Sequence, residues 1–241
     1  MKVAIIGGVA GGASAAARAR RLDEAAEIVL FERGEYISFA NCGLPYHVGG
    51  AIPRRDSLLV MTPGRFSART GVDVRVRHEV TALDPEAHTL SILDRATGNT
   101  YTESYDKLIL SPGAGPIRPD VPGADDPASM MLWTLPDMDR IKKRVDAGIR
   151  RAVVVGGGFL GLELAENLRL RDVDVTLVEM LPQVMPPLDP EMAQPLIAEL
   201  ERNGVKVLLG STVTVVRRLA ERDGSGTPEV VVGLGDGREL P

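Results

Sequence analysis

The sequence predicts an α/β protein, because the same order of patterns occurs once in each half of the chain. Each half has a short β-branched apolar run, a glycine-rich turn, a helix-forming segment and a second apolar run that ends in glutamate. This is the order of a βαβ unit, in which backbone N–H groups at the start of the helix can hold a pyrophosphate. We therefore expect two Rossmann-like, three-layer dinucleotide-binding domains, the first with a small inserted antiparallel sheet.

The first βαβ unit begins at the N-terminus. Its pattern predicts a strand over residues 2–6, a tight turn over 7–12, a helix over 13–22 and a strand over 27–32. Glu32 follows the last glycine of the turn by about 20 residues, the spacing at which a carboxylate reaches the adenosine ribose hydroxyls. Residues 3–17 superficially match a secretory signal peptide, but four glycines interrupt the apolar run.

The glycine fingerprint of this unit is incomplete. Gly7 and Gly12 stand at the first and third glycine positions, but Val9 stands at the second. Gly8 and Gly11 can supply the missing clearance for a phosphate. The alternative is that these glycines serve only close packing of helix on strand.

The middle of the chain is less regular. Turns are predicted over residues 49–55 and 62–64. Alternating patterns over 72–76, 88–93 and 100–105 predict the small antiparallel sheet, and residues 108–110 predict a return to a buried strand. Residues 120–127 are the best linker candidate, and 137–147 predict a helix that leads into the second domain.

The second βαβ unit has the more complete signature. Residues 151–155 predict a strand, 156–161 form a full G-x-G-x-x-G, 162–170 predict a helix, and 173–179 predict the next strand. Glu179 ends that strand at the expected spacing. Because its carboxylate would accept from a ribose 2′-hydroxyl and repel a 2′-phosphate, we predict NADH rather than NADPH.

Composition limits the classes of partner. The 241 residues carry a net charge of −5 and are 44% hydrophobic, which predicts a soluble globular protein without general affinity for nucleic acid or membranes. One cysteine excludes an internal disulfide and fits a reducing cytoplasm. Three scattered histidines form no metal-binding motif, so we expect no metal.

The single cysteine, Cys42, lies just beyond the first unit, in the stretch Ser38-Phe39-Ala40-Asn41-Cys42-Gly43-Leu44-Pro45-Tyr46. A lone cysteine is more often a small buried apolar residue than a catalyst. Two dinucleotide units favour a different interpretation, because the economical pair of nucleotides is a flavin and a nicotinamide. We therefore interpret Cys42 as a redox nucleophile.

These motifs, together with Tyr105-Asp106-Lys107-Leu108 and Ser111-Pro112-Gly113-Ala114, resemble those of the pyridine nucleotide-disulfide oxidoreductases. Within that family the chain resembles the single-cysteine branch, which contains coenzyme A-disulfide reductases and NADH-dependent CoA-persulfide reductases. The resemblance implies an FAD-binding domain over residues 1–119, a linker and connecting helix over 120–148, and an incomplete NAD(H)-binding domain over 149–241. It also implies a cytoplasmic homodimer when the protein is full length.

The resemblance implies the reaction as well. Two-cysteine relatives hold a dithiol in a Cys-x4-Cys motif, but His47 stands at the second cysteine position here. The second sulfur would come from the substrate, a coenzyme A disulfide or a coenzyme A persulfide or polysulfide. Cys42 would cycle between a thiolate and a mixed disulfide with coenzyme A, or transiently a persulfide.

Site residues follow position by position from the same resemblance. Those implied for FAD are Gly7, Val9, Ala10, Gly11, Gly12, Glu32, Arg33, Asn41, Cys42, Val80, Ser111, Pro112 and Gly113. Those implied for the nicotinamide nucleotide are Gly156, Gly158, Phe159, Leu160, Gly161 and Glu179. Those implied for coenzyme A are Ser14, Arg18, Arg21, Ser38 and Asn41.

The coenzyme A assignment has one supporting pattern and one departure. Ser14, Arg18 and Arg21 are spaced to share one face of the first helix, although such a face is also typical of an ordinary solvated surface. A family lysine that contacts the substrate is replaced by Thr70, with Arg69 beside it.

Two alternatives stay open. NADH oxidases and peroxidases of the family carry a histidine at the position of Ala10. The absence of this histidine disfavours oxidase and peroxidase activity here. The chain also stops soon after a turn predicted at residues 235–237. We therefore weigh a truncated nucleotide-binding fragment without turnover against the N-terminal part of a working enzyme.

Overall fold

A computed structural model describes residues 1–219 and 230–241. The chain divides into two compact units. The first consists of Met1–Ala40 and Arg55–Ala114, and the second consists of Asn41–Arg54 and Gly115–Pro241. The short stretch that contains Cys42 therefore packs with the second unit.

In chain order the elements are β1 (Lys2–Ile6), α1 (Gly11–Leu22), β2 (Glu27–Glu32), α2 (Leu44–Gly49), α3 (Pro63–Thr70), β3 (Asp73–Val76), β4 (His78–Asp84), β5 (Thr89–Asp94), β6 (Thr100–Ser104), β7 (Lys107–Leu110), α4 (Leu135–Asp146), β8 (Arg151–Val155), α5 (Phe159–Arg169), β9 (Asp174–Val178), α6 (Pro190–Arg202), β10 (Lys206–Leu208), β11 (Val213–Arg218), β12 (Val230–Leu234) and β13 (Glu239–Leu240). Short 3-10 turns lie at Asn41–Gly43 and Arg55–Leu58.

The first unit has three layers around a four-stranded parallel sheet of order β3-β2-β1-β7. On one face, Ile5, Ile28 and Leu30 pack with α1. On the other face, Val29 and Phe31 pack with the antiparallel sheet β4-β5-β6. Successive strand residues point to opposite faces, so a strand buried on both sides is apolar throughout. The predicted α/β class with a small antiparallel sheet is confirmed.

The composition of that antiparallel sheet differs from the prediction. Residues 72–76 were assigned to it, but β3 pairs in parallel with β2 instead, so that assignment was wrong. The missing strand is β4, which pairs with β5. Its sequence is half exposed and carries charges, so its apolar signal is weak. Arg77, in a left-handed conformation with φ of 59°, makes the break between β3 and β4.

The second unit combines a parallel sheet of order β10-β9-β8 with an antiparallel sheet of order β11-β12-β13. Val178 of the first sheet packs with Val232, Leu234 and Leu240 of the second. The helix α5 follows β8 through the second glycine turn, and β9 returns parallel to β8. This is the βαβ order that the sequence predicts.

The helices α1 and α5 begin two and three residues earlier than predicted, at Gly11 and Phe159. Two other helix starts differ from the prediction because caps define them. Residues 62–64 were predicted as a turn, but the Thr62 side chain accepts from the Arg65 N–H and begins α3. The helix predicted from residue 137 begins earlier, because Thr134 and Asp137 form a reciprocal capping box. Proline in the first turn fits both helices, since its missing N–H has no intrahelical partner there.

The predicted linker, residues 120–127, is part of the second unit and bonds to other residues of that unit. The Val216 N–H donates to the Pro122 carbonyl at 2.8 Å, and a Cβ at Gly123 would lie 1.9 Å from the Val216 oxygen. Arg218 donates two hydrogen bonds to the Asp126 carboxylate, at 2.8 and 3.0 Å. These contacts fix the stretch along β11.

Candidate functional site

The first glycine turn is closed by contacts that only glycine permits. Gly7 has φ of 94°, and its N–H donates to the Phe31 carbonyl at 2.8 Å. A Cβ at Gly12 would lie 1.7 Å from the Gly7 carbonyl oxygen. The helix α1 starts at Gly11 without a cap from any described side chain. Its first N–H groups are therefore available to an anion such as a pyrophosphate.

Glu32 closes this turn from the end of β2. One carboxylate oxygen accepts from the Gly8 N–H at 2.8 Å, and the other accepts from the Gly34 N–H at 2.8 Å. Each oxygen keeps a second lone pair. The acid is thus fixed beside the glycine turn and can accept from hydroxyl groups of a bound ribose.

A cleft of about 110 Å³ lies beside Gly7 and Glu32. Three residues inferred from the resemblance line it, namely Arg33, Val80 and Pro112. It is also lined by His78 and Glu79 at the start of β4, which sequence reasoning missed because that strand was not predicted.

The end of β7 completes the first turn. Ser111 donates its N–H to the Ile6 carbonyl at 2.8 Å, and its side-chain oxygen would lie 3.1 Å from a Cβ at Gly11. Parallel neighbours bring their carboxyl ends together, which explains why distant residues meet here.

The second glycine turn repeats the geometry of the first. Gly156 has φ of 108° and donates its N–H to the Val178 carbonyl at 2.8 Å. A Cβ at Gly161 would lie 2.0 Å from the Gly156 oxygen. The buried Glu179 carboxylate accepts from the Gly157 N–H at 2.6 Å and from the Leu181 N–H at 2.7 Å.

The repeat extends to a residue that was not singled out as a site residue. Ser38, with φ of 46°, donates its N–H to the Gly8 carbonyl at 3.1 Å. Met185, with φ of 51°, donates its N–H to the Gly157 carbonyl at 2.8 Å. Both stand at the same distance after the acid of their unit. Aligning the two βαβ units with each other would have identified Met185.

Phe159 and Leu160 begin the helix after the second turn. Phe159 is 68% exposed at the first position of α5, and Leu160 is half-buried. Gly158, just before them, has an extended backbone. A flat exposed aromatic side chain beside such a glycine turn can stack on a ligand ring.

Cys42 is exposed, on the 3-10 turn that leads into α2. His47, at the second cysteine position of two-cysteine relatives, is buried, and its Nδ1 lies 2.6 Å from the Ile52 carbonyl oxygen. The pKa of the Tyr46 phenol is raised, first by the Glu163 carboxylate and then by burial, with smaller effects of Glu166 and Cys42. The phenol therefore keeps its proton near neutral pH.

The residues inferred for coenzyme A do not all fall in one unit. Ser14, Arg18 and Arg21 are exposed on α1 of the first unit, which also holds Ser38. Asn41 is exposed beside Cys42 in the second unit.

Two neighbours of this basic face serve the structure. Arg20 donates to the carbonyls of Thr70, Gly71, Glu24 and Ala26. The Thr70 hydroxyl donates to the Phe66 carbonyl at 2.7 Å and accepts from the Val72 N–H at 3.3 Å. The Thr70 hydroxyl therefore bonds to the backbone at the end of α3.

Comparison with known proteins identifies the family. The sequence model described as "Pyridine nucleotide-disulphide oxidoreductase" matches residues 1–241. The chain belongs to the pyridine nucleotide-disulphide oxidoreductase family. The resemblance inferred from the glycine turns and the cysteine stretch is thereby confirmed.

Several members of this family are similar over nearly the whole chain. The coenzyme A disulfide reductase of Staphylococcus haemolyticus is 37% identical over 217 residues, which are 90% of this chain and 49% of the relative. The structure of reduced CoADR-RHD from Bacillus anthracis is 48% identical, with a TM-score of 0.90, over 99% of this chain and 42% of that one. The chain therefore spans about half the length of the curated relatives it matches.

Two further family members widen the range of reactions. The NAD-dependent persulfide reductase from A. fulgidus is 33% identical, with a TM-score of 0.92, over all of this chain and 44% of that one. The water-forming NADH oxidase from Lactobacillus brevis, bound to NADH, is 27% identical, with a TM-score of 0.90, over all of this chain and 51% of that one.

Residues 1–219 and 230–241 contain no helix that is long and apolar enough to cross a membrane. In the same ranges, no group of three or more histidine, cysteine, aspartate or glutamate side chains is arranged to hold a metal ion.

Proposed function

We propose that the protein is an FAD-dependent oxidoreductase that uses NADH to reduce coenzyme A disulfide, or a coenzyme A persulfide or polysulfide, through Cys42. The observation that carries this proposal is the presence of two glycine turns, each with a glutamate carboxylate bonded to its backbone, together with one exposed cysteine. The relatives named coenzyme A disulfide reductase and persulfide reductase support the choice of substrate.

The first glycine turn suits FAD. The close contacts of Gly7 and Gly12 leave the helix start open for a pyrophosphate, and the adjoining cleft places Glu32, Arg33 and Val80 where they could contact the adenosine end of the nucleotide. We assign FAD to this turn, together with Val9, Ala10, Gly11, Asn41, Cys42, Ser111, Pro112 and Gly113. A bound flavin supplies hydride transfer from the reduced nicotinamide and two electrons for a disulfide.

The second turn suits a nicotinamide nucleotide with a free ribose 2′-hydroxyl. We assign the pyrophosphate to Gly156, Gly158 and Gly161, and the start of the nicotinamide-bearing half to Phe159 and Leu160. The buried Glu179 carboxylate would accept from a 2′-hydroxyl but would repel a 2′-phosphate. This favours NADH over NADPH.

Cys42 performs the sulfur chemistry. Its thiolate attacks one sulfur of coenzyme A disulfide, forming a mixed disulfide and releasing the first coenzyme A thiolate. Two electrons and one proton then cleave the mixed disulfide, regenerating the Cys42 thiolate and releasing the second coenzyme A as a thiol. The net change is NADH, one proton and one disulfide giving NAD⁺ and two thiols. Because the chain has one cysteine, no internal disulfide can replace the mixed one.

Coenzyme A carries phosphates, so its site requires cations. Arg18 and Arg21 are exposed on α1, and we assign them to these phosphates with Ser14, Ser38 and Asn41 as polar contacts. We further propose that the protein acts in the cytoplasm and forms a homodimer when full length.

The second candidate function is NADH oxidation by oxygen, which the similarity to a water-forming NADH oxidase favours. The two candidates differ in the electron acceptor. Purified flavin-loaded protein should consume NADH under strictly anaerobic conditions when coenzyme A disulfide is added, and should release thiols as it does so. Consumption that requires oxygen and ignores the disulfide would instead establish the oxidase. Nucleotide binding without either reaction would leave a binding fragment.

A further inference from the structure

Asn167, on α5, is a fully buried polar side chain with an incomplete set of hydrogen bonds. Its Nδ2 donates to the Glu163 carbonyl at 2.8 Å. Its Oδ1 accepts no hydrogen bond from any described residue, and it is the one buried side-chain atom in that state among residues 1–219 and 230–241. Buried polar atoms are normally paired, so this oxygen requires an explanation.

The group that faces Oδ1 is the backbone of α2. A Cβ placed on Gly49 would lie 2.2 Å from Oδ1 and 2.8 Å from Cγ of Asn167. The hydrogen that occupies this position on glycine therefore points at the oxygen, which is the arrangement of a Cα–H···O contact. Any larger residue at position 49 would push α2 away from α5.

A charged clamp holds the same end of α2. Arg171 donates to the Val48 carbonyl at 3.2 Å and to the Asp146 carboxylate at 2.9 Å, and Lys142 donates to Asp146 at 3.2 Å. Burial raises the pKa of Asp146, but the hydrogen bonds from Arg171 and Lys142 outweigh burial and hold the pKa below its usual value. The clamp is therefore charged at neutral pH, and a cation at the last carbonyls of a helix is favourable.

These contacts hold the helix that directly follows the cysteine. A helix as short as α2, Leu44–Gly49, is not stable alone, so its position depends on what it packs against. The 3-10 turn that carries Cys42 continues directly into it. We propose that Gly49 and Asn167 are positioning residues that fix α2 on α5 and thereby set the placement of the Cys42 thiol. The consequence for turnover rests on the proposed function.

The variants that test this are Gly49→Ala, Asn167→Ala and the double change, with Gly64→Ala as a matched control. Gly64 lies in the first turn of α3, where an added Cβ meets no described atom within 4 Å. In the intact flavin-loaded protein, Gly49→Ala should change the rate of Cys42 alkylation by iodoacetamide at least about threefold. It should also lower kcat for disulfide reduction about tenfold to 100-fold, because a small misplacement of a reacting group has that effect.

Reduction of a dye by NADH, which does not need the cysteine, should stay unchanged. The double variant should recover part of both changes, because Asn167→Ala removes the two atoms nearest the new Cβ but keeps its own Cβ at 2.9 Å. If Gly49→Ala does not fold, Asn167→Ala gives the test, with an altered alkylation rate expected.

Alkylation rates and kcat that match the Gly64→Ala control, with only the melting temperature lowered, would overturn the positioning role. Absence of disulfide reduction in the unchanged protein would overturn the proposed function instead. The alkylation comparison would still decide the positioning role in that case.

Discussion

Alanine at the last glycine of either turn should weaken binding of the nucleotide at that turn and leave binding at the other turn unchanged. A Cβ at Gly161 would lie 2.0 Å from the Gly156 oxygen, and one at Gly12 would lie 1.7 Å from the Gly7 oxygen. Both turns must therefore open by more than about 1 Å to reach ordinary van der Waals contact. Because each clash is with backbone, no side-chain rotation relieves it.

The cost follows from two opposing effects. Overpacking of this kind costs about 1–3 kcal/mol, while alanine gains about 1 kcal/mol over glycine inside a helix. The free energy of unfolding should therefore fall by up to about 2 kcal/mol. The displaced helix start also misaligns the N–H groups that hold the pyrophosphate, which should weaken binding of that nucleotide about tenfold or more.

Two measurements distinguish the turns, namely the flavin content of the purified protein and the rate of flavin reduction by NADH. Gly161→Ala should purify with its flavin, yet the flavin should be reduced slowly by NADH under anaerobic conditions, with a raised half-saturating concentration. Gly12→Ala should purify with much less flavin. Gly64→Ala should match the unchanged protein in both measurements. Full flavin content in Gly12→Ala, or normal reduction by NADH in Gly161→Ala, would refute the assignment of the turns.

Further expectations concern charged side chains. Glu179→Ala should raise kcat/KM for NADPH relative to NADH about tenfold in steady-state assays, and an unchanged ratio would count against its role at the ribose. Burial raises the pKa of Glu103, but hydrogen bonds from a lysine and an arginine outweigh burial and lower it. The stability from this carboxylate is therefore present above its unfolded pKa near 4.5 and lost as pH falls through the lower folded value, so Glu103→Gln should flatten the acid limb of melting temperature against pH. Arg18→Ala and Arg21→Ala should raise KM for coenzyme A disulfide more than for a small disulfide, with the free energy of unfolding changed by no more than about 0.5 kcal/mol. Arg20→Ala should instead lower that free energy by about 1–3 kcal/mol, because it leaves backbone carbonyls unpaired; equal melting temperatures for the three variants would contradict this division.

Local patterns predicted the central strands well. The strands Lys2–Ile6, Glu27–Glu32 and Arg151–Val155 have the predicted bounds, because strands buried on both faces are apolar throughout and end at glycine turns or charges. By contrast, β3 and β4 were confused, since alternation does not reveal whether a strand pairs in parallel or antiparallel. The helix Pro63–Thr70 was missed because threonine, proline and glycine at its start are also typical of a turn.

The site shows the same division. The distance in sequence from the last glycine of each turn identified Glu32 and Glu179. In the structure each carboxylate accepts a hydrogen bond from the glycine turn of its own unit. His78, Met185 and Asn167 were not inferred, because their roles depend on contacts between elements far apart in sequence. No motif encodes such contacts. Of these three residues, only Met185 could have been found by aligning the two halves of the chain.

The central claim is that Cys42 passes electrons to a substrate disulfide, and Cys42→Ser tests it most directly. Rapid mixing of the flavin-loaded variant with NADH in the absence of oxygen should show flavin reduction at a normal rate. Subsequent addition of coenzyme A disulfide should then cause no reoxidation and release no thiol, whereas the unchanged protein should turn over. Disulfide reduction that persists in Cys42→Ser would contradict the account.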